Sequence, residues 1–295
     1  MMKIERIVCP VDFSEYSTKA YDYAYSLAKH YRAKLFLEHV VQPLQVPYPY
    51  YAFPEATVND VYWNVSGDAE KRLKDLATSR VWNGLQPEWV VQKGFVPDTI
   101  LEFAEQQSAN LIVMGTHGRR GIDRVTMGSV TEKVLRKARC PVLAVRKPAH
   151  DFVNPEEGRD PVRLRRILLA TDFSDYALRA LDYGFSLAME YNAELTLMHV
   201  LEDVPASPDL QTATKEAISR LENPIPQDAR NWCSIKSVVR IGKPYQEIIQ
   251  LALEAQSDLV ILGVRGRNAL DLALFGSTTH RVIQLGSCPV LAVHV

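Results

Sequence analysis

The sequence predicts an α/β protein in which two doubly wound, five-stranded parallel sheets of the Rossmann-like kind follow one another along the chain. Two observations lead to this prediction. The chain repeats itself, and within each repeat short apolar runs alternate with segments of helical spacing. The stretch RIVCPVDFSEYSTKAYDYAYSLAKHYRAKLFLEHVV, which begins at Arg6, returns at Arg166 as RILLATDFSDYALRALDYGFSLAMEYNAELTLMHVL. Such self-similarity indicates a tandem duplication.

The duplication also sets the expected domain boundaries. Further along, ANLIVMGTHGR returns as SDLVILGVRGR, and CPVLAVRK returns as CPVLAVHV. The interval between these later copies is shorter, because the second copy has a shorter middle. Between the copies lies KPAHDFVNPEEGRDPVR, a polar stretch with three prolines, which is typical of a linker. We therefore predict a first domain over 1–148, a linker over 149–163 and a second domain over 164–295.

Each copy reads as strands and helices in strict alternation. The predicted strands of the first copy are rich in Val, Ile and Leu with little alternation, as expected of strands covered on both faces; they lie at 6–11, 34–41, 87–93, 110–115 and 141–146. Between them, STKAYDYAYSLAKHY, PDTILEFAEQQSA and VTEKVLRKA carry apolar residues at three- and four-residue steps, as amphipathic helices do. Right-handed crossovers turn this order into a doubly wound sheet. Such sheets bind ligands beyond the carboxyl ends of their strands.

One loop of each copy is expected at that edge. After the fourth strand comes GTHGRRGIDRVTMGSVTEKV, in which nine residues separate a Gly-x-x-Gly motif from Gly128 and Ser129. The second copy keeps this spacing up to Gly276 and Ser277. Glycine lets a ligand approach the backbone closely, and the start of a helix offers free amides and a positive dipole end to an anion. The loop therefore predicts a phosphate site.

The same residues also permit explanations without a ligand. Ser129-x-x-Glu132 has the spacing of a capping box, which would account for the serine by itself. The glycines could simply form turns. The arginines of the first loop could neutralise a triphosphate or be solvated; they are Arg119, Arg120 and Arg124. The second loop, RNALDLALF, is more apolar and could pack instead of binding phosphate.

Composition and missing motifs exclude several classes of function. With a net charge of −1, neither sign dominates, so we expect no nucleic-acid partner. The charged N-terminus lacks the apolar run of a signal peptide, and no window approaches a membrane span, so we expect a cytoplasmic protein. The four cysteines form no C-x-x-C pair and the seven histidines no H-x-x-x-H pair, which argues against a metal site. The motifs of P-loop enzymes, kinases and serine hydrolases are also missing. We expect no catalytic residues.

Taken together, the motifs resemble the universal stress protein family. The resemblance rests on VDFS and TDFS, on the HV that ends the second strand, on the glycine spacing and on CPVLAV, and it covers nearly the whole chain twice. It implies sheets of order 3-2-1-4-5. It also implies that the CPVLAV strands pair the two domains, forming a pseudo-dimer within one chain. The family branch with this glycine pattern binds ATP, so the resemblance implies ATP as the ligand, with or without Mg²⁺.

The resemblance assigns the nucleotide site residue by residue. Asp12 and the backbone of Val40 are expected beside the nucleoside, and the glycines and the start of the fourth helix around the phosphates. The expected positions in the first copy are Pro10, Asp12, Val40, Met114, Gly115, Gly118, Arg119, Gly128, Ser129, Val130 and Thr131. Those in the second copy are Asp172, Val200, Gly263, Gly266, Gly276, Ser277 and Thr278. Pro10 and Met114 are replaced by Ala170 and Leu262 in the second copy.

Several side chains remain open to a structural interpretation. Asp12 and Asp172 could merely organise the turn before Ser14 and Ser174 cap the next helix. His39 and His199 have no serine or cysteine partner in view and are interpreted as structural histidines. The aromatic and proline-rich segment 43–56 could cover a nucleotide, bind a partner or pack on the second domain.

The expected function is thus an ATP-dependent stress-response or signalling module with at most slow hydrolysis. The alternative is a scaffold or chaperone-like protein whose nucleotide pockets are vestigial. Either way, an unidentified protein partner and a homodimer formed through domain edges are expected.

Overall fold

The computed structural model describes most of the chain. The described residues are 3–42, 55–79, 85–118, 127–146, 151–157, 161–202, 209–227, 229–264 and 276–294, without the side chains of 55–65 and 209. The loop segments 119–126 and 265–275 lie outside this description, and so does most of the aromatic segment 43–56.

Strands and helices alternate as predicted, except that the second domain has one short additional helix before its third strand. The first domain contains β1 (Arg6–Pro10), α1 (Glu15–Tyr31), β2 (Lys34–Val41), α2 (Glu55–Thr78), β3 (Glu88–Lys93), α3 (Val96–Gln106), β4 (Leu111–Gly115), α4 (Ser129–Lys137) and β5 (Val142–Val145). The second contains β6 (Arg166–Ala170), α5 (Asp175–Tyr191), β7 (Glu194–Leu201), α6 (Asp209–Glu222), α7 (Ala229–Trp232), β8 (Ile235–Ile241), α8 (Pro244–Glu254), β9 (Leu259–Gly263), α9 (Ser277–Leu285) and β10 (Val290–Val293).

The strands of both domains form one sheet of ten strands in the order β3-β2-β1-β4-β5-β10-β9-β6-β7-β8. Within each domain the strands are parallel and follow the order 3-2-1-4-5, which confirms the predicted topology. The domains meet where β5 and β10 pair antiparallel, with Leu143 opposite Leu291. This pairing confirms the pseudo-dimer: each CPVLAV strand is the edge that the other one covers.

The sheet carries a hydrophobic core on each face. Because successive side chains of a strand point to opposite faces, Ile7 and Cys9 enter one core while Val8 enters the other. The first core lies beneath α1, α2, α5 and α6, and the second beneath α3, α4, α8 and α9. Both cores contain residues from the two domains, so the duplication is joined by apolar packing as well as by strand pairing.

The segment between the domains is packed onto the first one. Val153 and Val162 form an antiparallel bridge, and Phe152 lies edge-on against Tyr23 of α1 with 4.9 Å between ring centroids. The Tyr23 hydroxyl donates to Asp151 Oδ1 at 2.8 Å. A stretch that the sequence marks as a polar linker therefore also buries apolar side chains against α1.

The cysteines are free thiols. Cys9, Cys233 and Cys288 are buried and Cys140 is half-buried, as expected of small apolar side chains. Burial raises the pKa of Cys288 to about 12 and that of Cys140 to about 11, so both thiols are protonated at neutral pH. Among the described helices, none is both long enough and apolar enough to span a bilayer.

Candidate functional site

The predicted site residues lie at the carboxyl edge of the sheet, where the chain leaves β1, β2 and β4. In the first domain Asp12 follows β1, Val40 lies near the end of β2 and Gly115 ends β4. Because β1 lies between β2 and β4 in the sheet, these three positions surround one crevice. The second domain places Asp172, Val200 and Gly263 in the same way.

Asp12 has a structural role in addition to its place in the crevice. Its Oδ1 accepts hydrogen bonds from the Ser14 amide at 3.0 Å and from the Ser14 hydroxyl at 2.6 Å. Ser14 in turn caps α1, accepting from the Ser17 amide at 3.2 Å. Asp172 and Ser174 repeat both contacts. Both aspartates therefore organise the turn before the helix, and Oδ2 of Asp12 lies toward the glycine loop.

That second oxygen explains why Gly118 is a glycine. A Cβ atom at position 118 would lie 2.9 Å from Asp12 Oδ2, which is closer than real side chains approach. The loop after β4 therefore approaches the turn after β1, as the predicted site requires. Sequence reasoning placed both residues in one site, and the structure brings them together.

Gly115 has a packing reason to be a glycine. A Cβ atom there would lie 2.8 Å from the backbone carbon of Tyr16 in α1, and at Gly263 the same atom would lie 2.9 Å from the backbone of α5. Thr131 fixes the same strand end from the other side, since its hydroxyl donates to the Gly115 carbonyl at 2.9 Å. Thr279 does the same for Gly263. These hydroxyl groups therefore join α4 to β4 and α9 to β9.

The backbone of Val40 faces the crevice. The Glu38 carbonyl accepts from the Val11 amide on the β1 side, while the Val41 carbonyl accepts from the Gly94 amide on the β3 side. Alternate residues of a strand direct their backbone N–H and C=O groups to opposite sides. The backbone N–H and C=O groups of Val40 therefore point toward the β1 side, as the carbonyl of Glu38 does. The strand pairing of β1 ends opposite Glu38, so Val40 faces the space beyond it. Val200 has the same surroundings, with Met198 and Leu201 as the accepting neighbours.

The helices that follow the glycine loops begin without side-chain caps. Gly128 and Gly276 occupy the N-cap positions of α4 and α9. Ser129 and Ser277 are the first helical residues and are exposed, so the capping-box interpretation of Ser129 is wrong. The first amides of a helix have no acceptor within it. Val130 and Thr278, which come next, are half-buried, and so each helix start presents amides and a serine hydroxyl at the crevice.

The remaining predicted residues lie at the end of β1, in the core or outside the described residues. Pro10 is half-buried at the end of β1, and Met114 is buried in the second core together with Met127. Met114 therefore belongs to the core of the first domain. Arg119 and Gly266 lie outside the described residues, and so do the other arginines of the first loop.

A strained phenylalanine in each domain was not predicted. Phe13 and Phe173, from the motif DFS, have φ angles of 63° and 61°, a conformation that aromatic residues rarely adopt. The Phe13 ring lies between His39, at 4.7 Å between centroids, and the Arg72 guanidinium, 4.2 Å from the ring centroid. Strain of this kind persists where the surroundings enforce it, and it clusters at binding sites. The repetition of DFS in both copies was the signal in the sequence.

The histidines support this turn. His39 Nδ1 lies 2.6 Å from the Val11 carbonyl oxygen, and His199 Nδ1 lies 2.7 Å from that of Thr171. Each imidazole stacks on the strained phenylalanine of its domain. This geometry agrees with the interpretation of both as structural histidines.

The structure reveals one buried ionisable group that the sequence analysis missed. Glu38 of β2 is buried, with 1% of its surface exposed, and its Oε1 accepts from Gln92 Nε2 at 3.1 Å. Burial raises the pKa of its carboxyl to about 8. A glutamate inside a run of apolar strand residues was the available signal. Within the described residues, no group of three or more His, Cys, Asp or Glu side chains could hold a metal ion.

Comparison with known proteins agrees with the fold and the duplication. The sequence profile of the universal stress protein family matches residues 3–146 and again 163–294. A universal stress protein of Methanocaldococcus jannaschii is 34% identical over 148 residues, covering 49% of this chain and 83% of that protein. One from Mycolicibacterium smegmatis is 25% identical over 295 residues, covering 97% of this chain and 96% of that protein. In the crystal structure of a universal stress protein from Archaeoglobus fulgidus the fold is the same, with a TM-score of 0.70, 22% identity and coverage of 98% and 96% of the two chains. The chain therefore belongs to the universal stress protein family and contains two of its domains in tandem.

Proposed function

We propose that the protein binds ATP at the carboxyl edge of each half of its sheet and acts as a nucleotide-dependent module of a stress response in the cytoplasm. The observation that carries this proposal is the contact between the loops after β1 and β4, where Gly118 leaves room for Asp12 and α4 begins nearby at Gly128. Gly128 itself donates its amide to the Thr116 carbonyl at 2.9 Å, which ties the helix start to the glycine loop.

The residues of the crevice suit the parts of ATP. The uncapped start of α4, with the exposed hydroxyl of Ser129, suits a phosphate group. The backbone of Val40 and the apolar surface of Pro10 suit a base. Asp12 lies between these two ends, where a ribose hydroxyl could donate to it. A Mg²⁺ ion would then be held chiefly by the phosphates and water, as is usual for this ion.

Slow hydrolysis at most is proposed, because two titratable groups of the crevice, His39 and Asp12, already hold the turn after β1 in place. His39 is bonded to the backbone of Val11 and Asp12 to Ser14. Rapid phosphoryl transfer needs a positioned base and charge directed at the transferred group. A module that binds nucleotide and signals its presence to a protein partner needs neither a base nor such a charge.

The test is calorimetric titration of ATP and Mg²⁺ into protein freed of nucleotide by unfolding and refolding. The expected result is micromolar binding at two sites per chain. Gly128→Val should abolish the first and Gly276→Val the second, because a branched side chain would cover the start of the helix. A Cβ at Gly128 would lie 3.3 Å from the Thr116 carbonyl oxygen, so this backbone must shift by a few tenths of an ångström, and the melting temperature of the variant checks that the fold accommodates it.

A matched substitution serves as the control. Gly67→Val in α2 meets no atom within 4 Å of its Cβ and should leave both sites intact. Absence of heat, and of any rise in melting temperature, at millimolar ATP would contradict the proposal. That result would favour the alternative of a scaffold or chaperone-like protein, to be pursued by searching for its protein partner.

A further inference from the structure

The residue that follows the last strand of each domain reaches into the other domain. Arg146 follows β5 and His294 follows β10, and the two occupy equivalent positions of the duplication. Arg146 Nη1 donates to the carbonyl of Gln284 in α9, and His294 Nε2 lies 2.7 Å from the carbonyl oxygen of Leu135 in α4. Because a carbonyl oxygen only accepts, His294 donates from Nε2. Each domain therefore holds one helix of the other.

Both contacts lie in the last turn of the helix that they reach. Leu135 is the third residue from the end of α4, and Gln284 is the second from the end of α9. The last carbonyl groups of a helix have no donor within it. The C-cap residues, Ala138 and Gly286, have no side-chain donor to offer. A side chain of the other domain therefore fixes the end of each helix.

The same two helices begin at the proposed phosphate sites. The first pocket lies at the start of α4, where Gly128 precedes Ser129, and the second at the start of α9, where Gly276 precedes Ser277. Each helix has nine residues and so spans about 13 Å. Because a helix this short moves as a rigid element, a contact at its last turn also positions its first amides, which face the phosphates.

Each donor is also attached to the glycine loop of its own domain. The residue before the arginine is Val145, which pairs with Gly115 and accepts from the Thr116 amide at 3.0 Å. The residue before the histidine is Val293, which pairs with Gly263 and accepts from the amide after Gly263 at 3.0 Å. The glycine loop of each pocket thus adjoins the donor that holds the helix of the other pocket.

We propose that the two nucleotide pockets are coupled through Arg146 and His294, so that ATP bound in one pocket strengthens binding in the other. This inference rests on the proposed binding of nucleotides. A nucleotide at the start of α4 restrains this helix and, through its last turn, the histidine beside the second glycine loop. The second nucleotide then meets a restrained loop and loses less conformational entropy on binding. The arginine and α9 act in the same way in the opposite direction.

The wild type by itself tests the coupling. Nucleotide-free protein is titrated with ATP and Mg²⁺ by calorimetry, and the isolated pockets are measured in Gly276→Val and Gly128→Val. The product of the two association constants in the wild type should exceed the product for the isolated pockets by about fivefold or more, the lower end of usual couplings between sites. Independent pockets, or weaker binding of the second ATP, would overturn the proposal and leave nucleotide binding intact. A wild type that binds no ATP would overturn both.

Substitution of the donors tests their role. Arg146→Leu combined with His294→Leu should make the two pockets independent, with two ATP still bound. His294→Arg, which gives the second copy the residue of the first, keeps a donor and should preserve the coupling. The matched control is Arg139→Leu, which removes an arginine just after α4 whose ion pair, with Glu105, stays within the first domain. Coupling that persists in the double variant, or that is lost equally in the control, would overturn the role of the two donors.

Discussion

At the scale of single residues, the buried carboxyl group of Glu38 makes the stability of the fold depend on pH. Its neighbours on the adjacent strands, Pro10 and Val90, carry no charge, and its partner Gln92 is also neutral. Burial therefore acts without compensation and raises the pKa of the carboxyl to about 8, from about 4.3 in an unfolded chain. Between these values the folded protein keeps a proton that the unfolded chain has released.

This difference predicts a loss of stability with rising pH. The slope of unfolding free energy against pH is negative wherever the folded state binds more protons. Between pH 5 and pH 8 the wild type should lose on the order of 3 kcal/mol relative to Glu38→Met, at about 1.4 kcal/mol per pKa unit. Urea unfolding at three pH values measures this. Parallel profiles for the two proteins would show that the carboxyl group is ionised in the folded state.

At the scale of elements, the cap of α1 also fixes the turn that borders the candidate site. Asp12 orients Ser14, and Ser14 caps the helix. Between them Phe13 takes its left-handed conformation, flanked by His39 and Arg72. A turn that needs this strained residue stays in place only while the helix start and the histidine hold it. The cap therefore supports the geometry of the crevice as well as the helix.

Removing the cap should weaken both the stability of the fold and ATP binding in the first pocket. Ser14→Ala should lower the unfolding free energy by about 1 kcal/mol, the usual effect of losing an N-cap hydroxyl. It should also weaken ATP binding in the first pocket, because Asp12 loses the hydroxyl group that holds Oδ1. Thr18→Ala is the control: it removes an exposed hydroxyl group that donates to the Ser14 carbonyl at 3.0 Å but leaves the Ser14 side chain in place, and it should change stability by less than about 0.5 kcal/mol. Equal effects of the two substitutions would argue against the coupling.

At the scale of the whole molecule, two positions that are equivalent in the two domains carry different residues, and these residues contact each other across the domain boundary. His30 at the end of α1 corresponds to Glu190 at the end of α5, and Tyr31 corresponds to Tyr191. In the structure His30 Nε2 lies 3.1 Å from Glu190 Oε1, and the Tyr31 hydroxyl donates to Glu190 Oε2 at 3.0 Å. Identical halves would place two like residues face to face. Duplication within one chain allowed histidine and glutamate to match each other.

This contact should tie the unfolding of the two domains together. His30→Glu faces two carboxylates against each other and should lower the unfolding free energy by about 1–2 kcal/mol, since partly buried acceptors lose their donor. The exchanged variant, His30→Glu with Glu190→His, should recover most of this loss. Lys236→Ala breaks an exposed ion pair with Glu194 and should cost at most about 0.5 kcal/mol. Failure of the exchange to recover stability would show that the pair is not specific.

The ten-stranded sheet also limits the surfaces through which a homodimer could form. β5 and β10 cover each other, and the outer edges of the described sheet are β3 and β8. An edge that is already paired cannot recruit a second strand. A homodimer, which stays a prediction, would therefore have to use β3, β8 or a helical surface.

Local pattern determined much of this protein. The repeat, the apolar strands and the glycine spacing predicted the two domains, the alternation of elements and the place of the site. They did so because strand burial, helix periodicity and helix starts depend on residues close together in the chain. The family resemblance added the strand order and the pairing of β5 with β10.

Only the tertiary structure decided what the individual side chains do. It showed that Gly115 packs on Tyr16, that Gly118 makes room for Asp12, and that Ser129 is not a cap. It also buried Glu38 in β2, and this burial raises the pKa of its carboxyl group to about 8. These properties depend on distances and desolvation between residues far apart in the sequence, and a sequence pattern does not encode them.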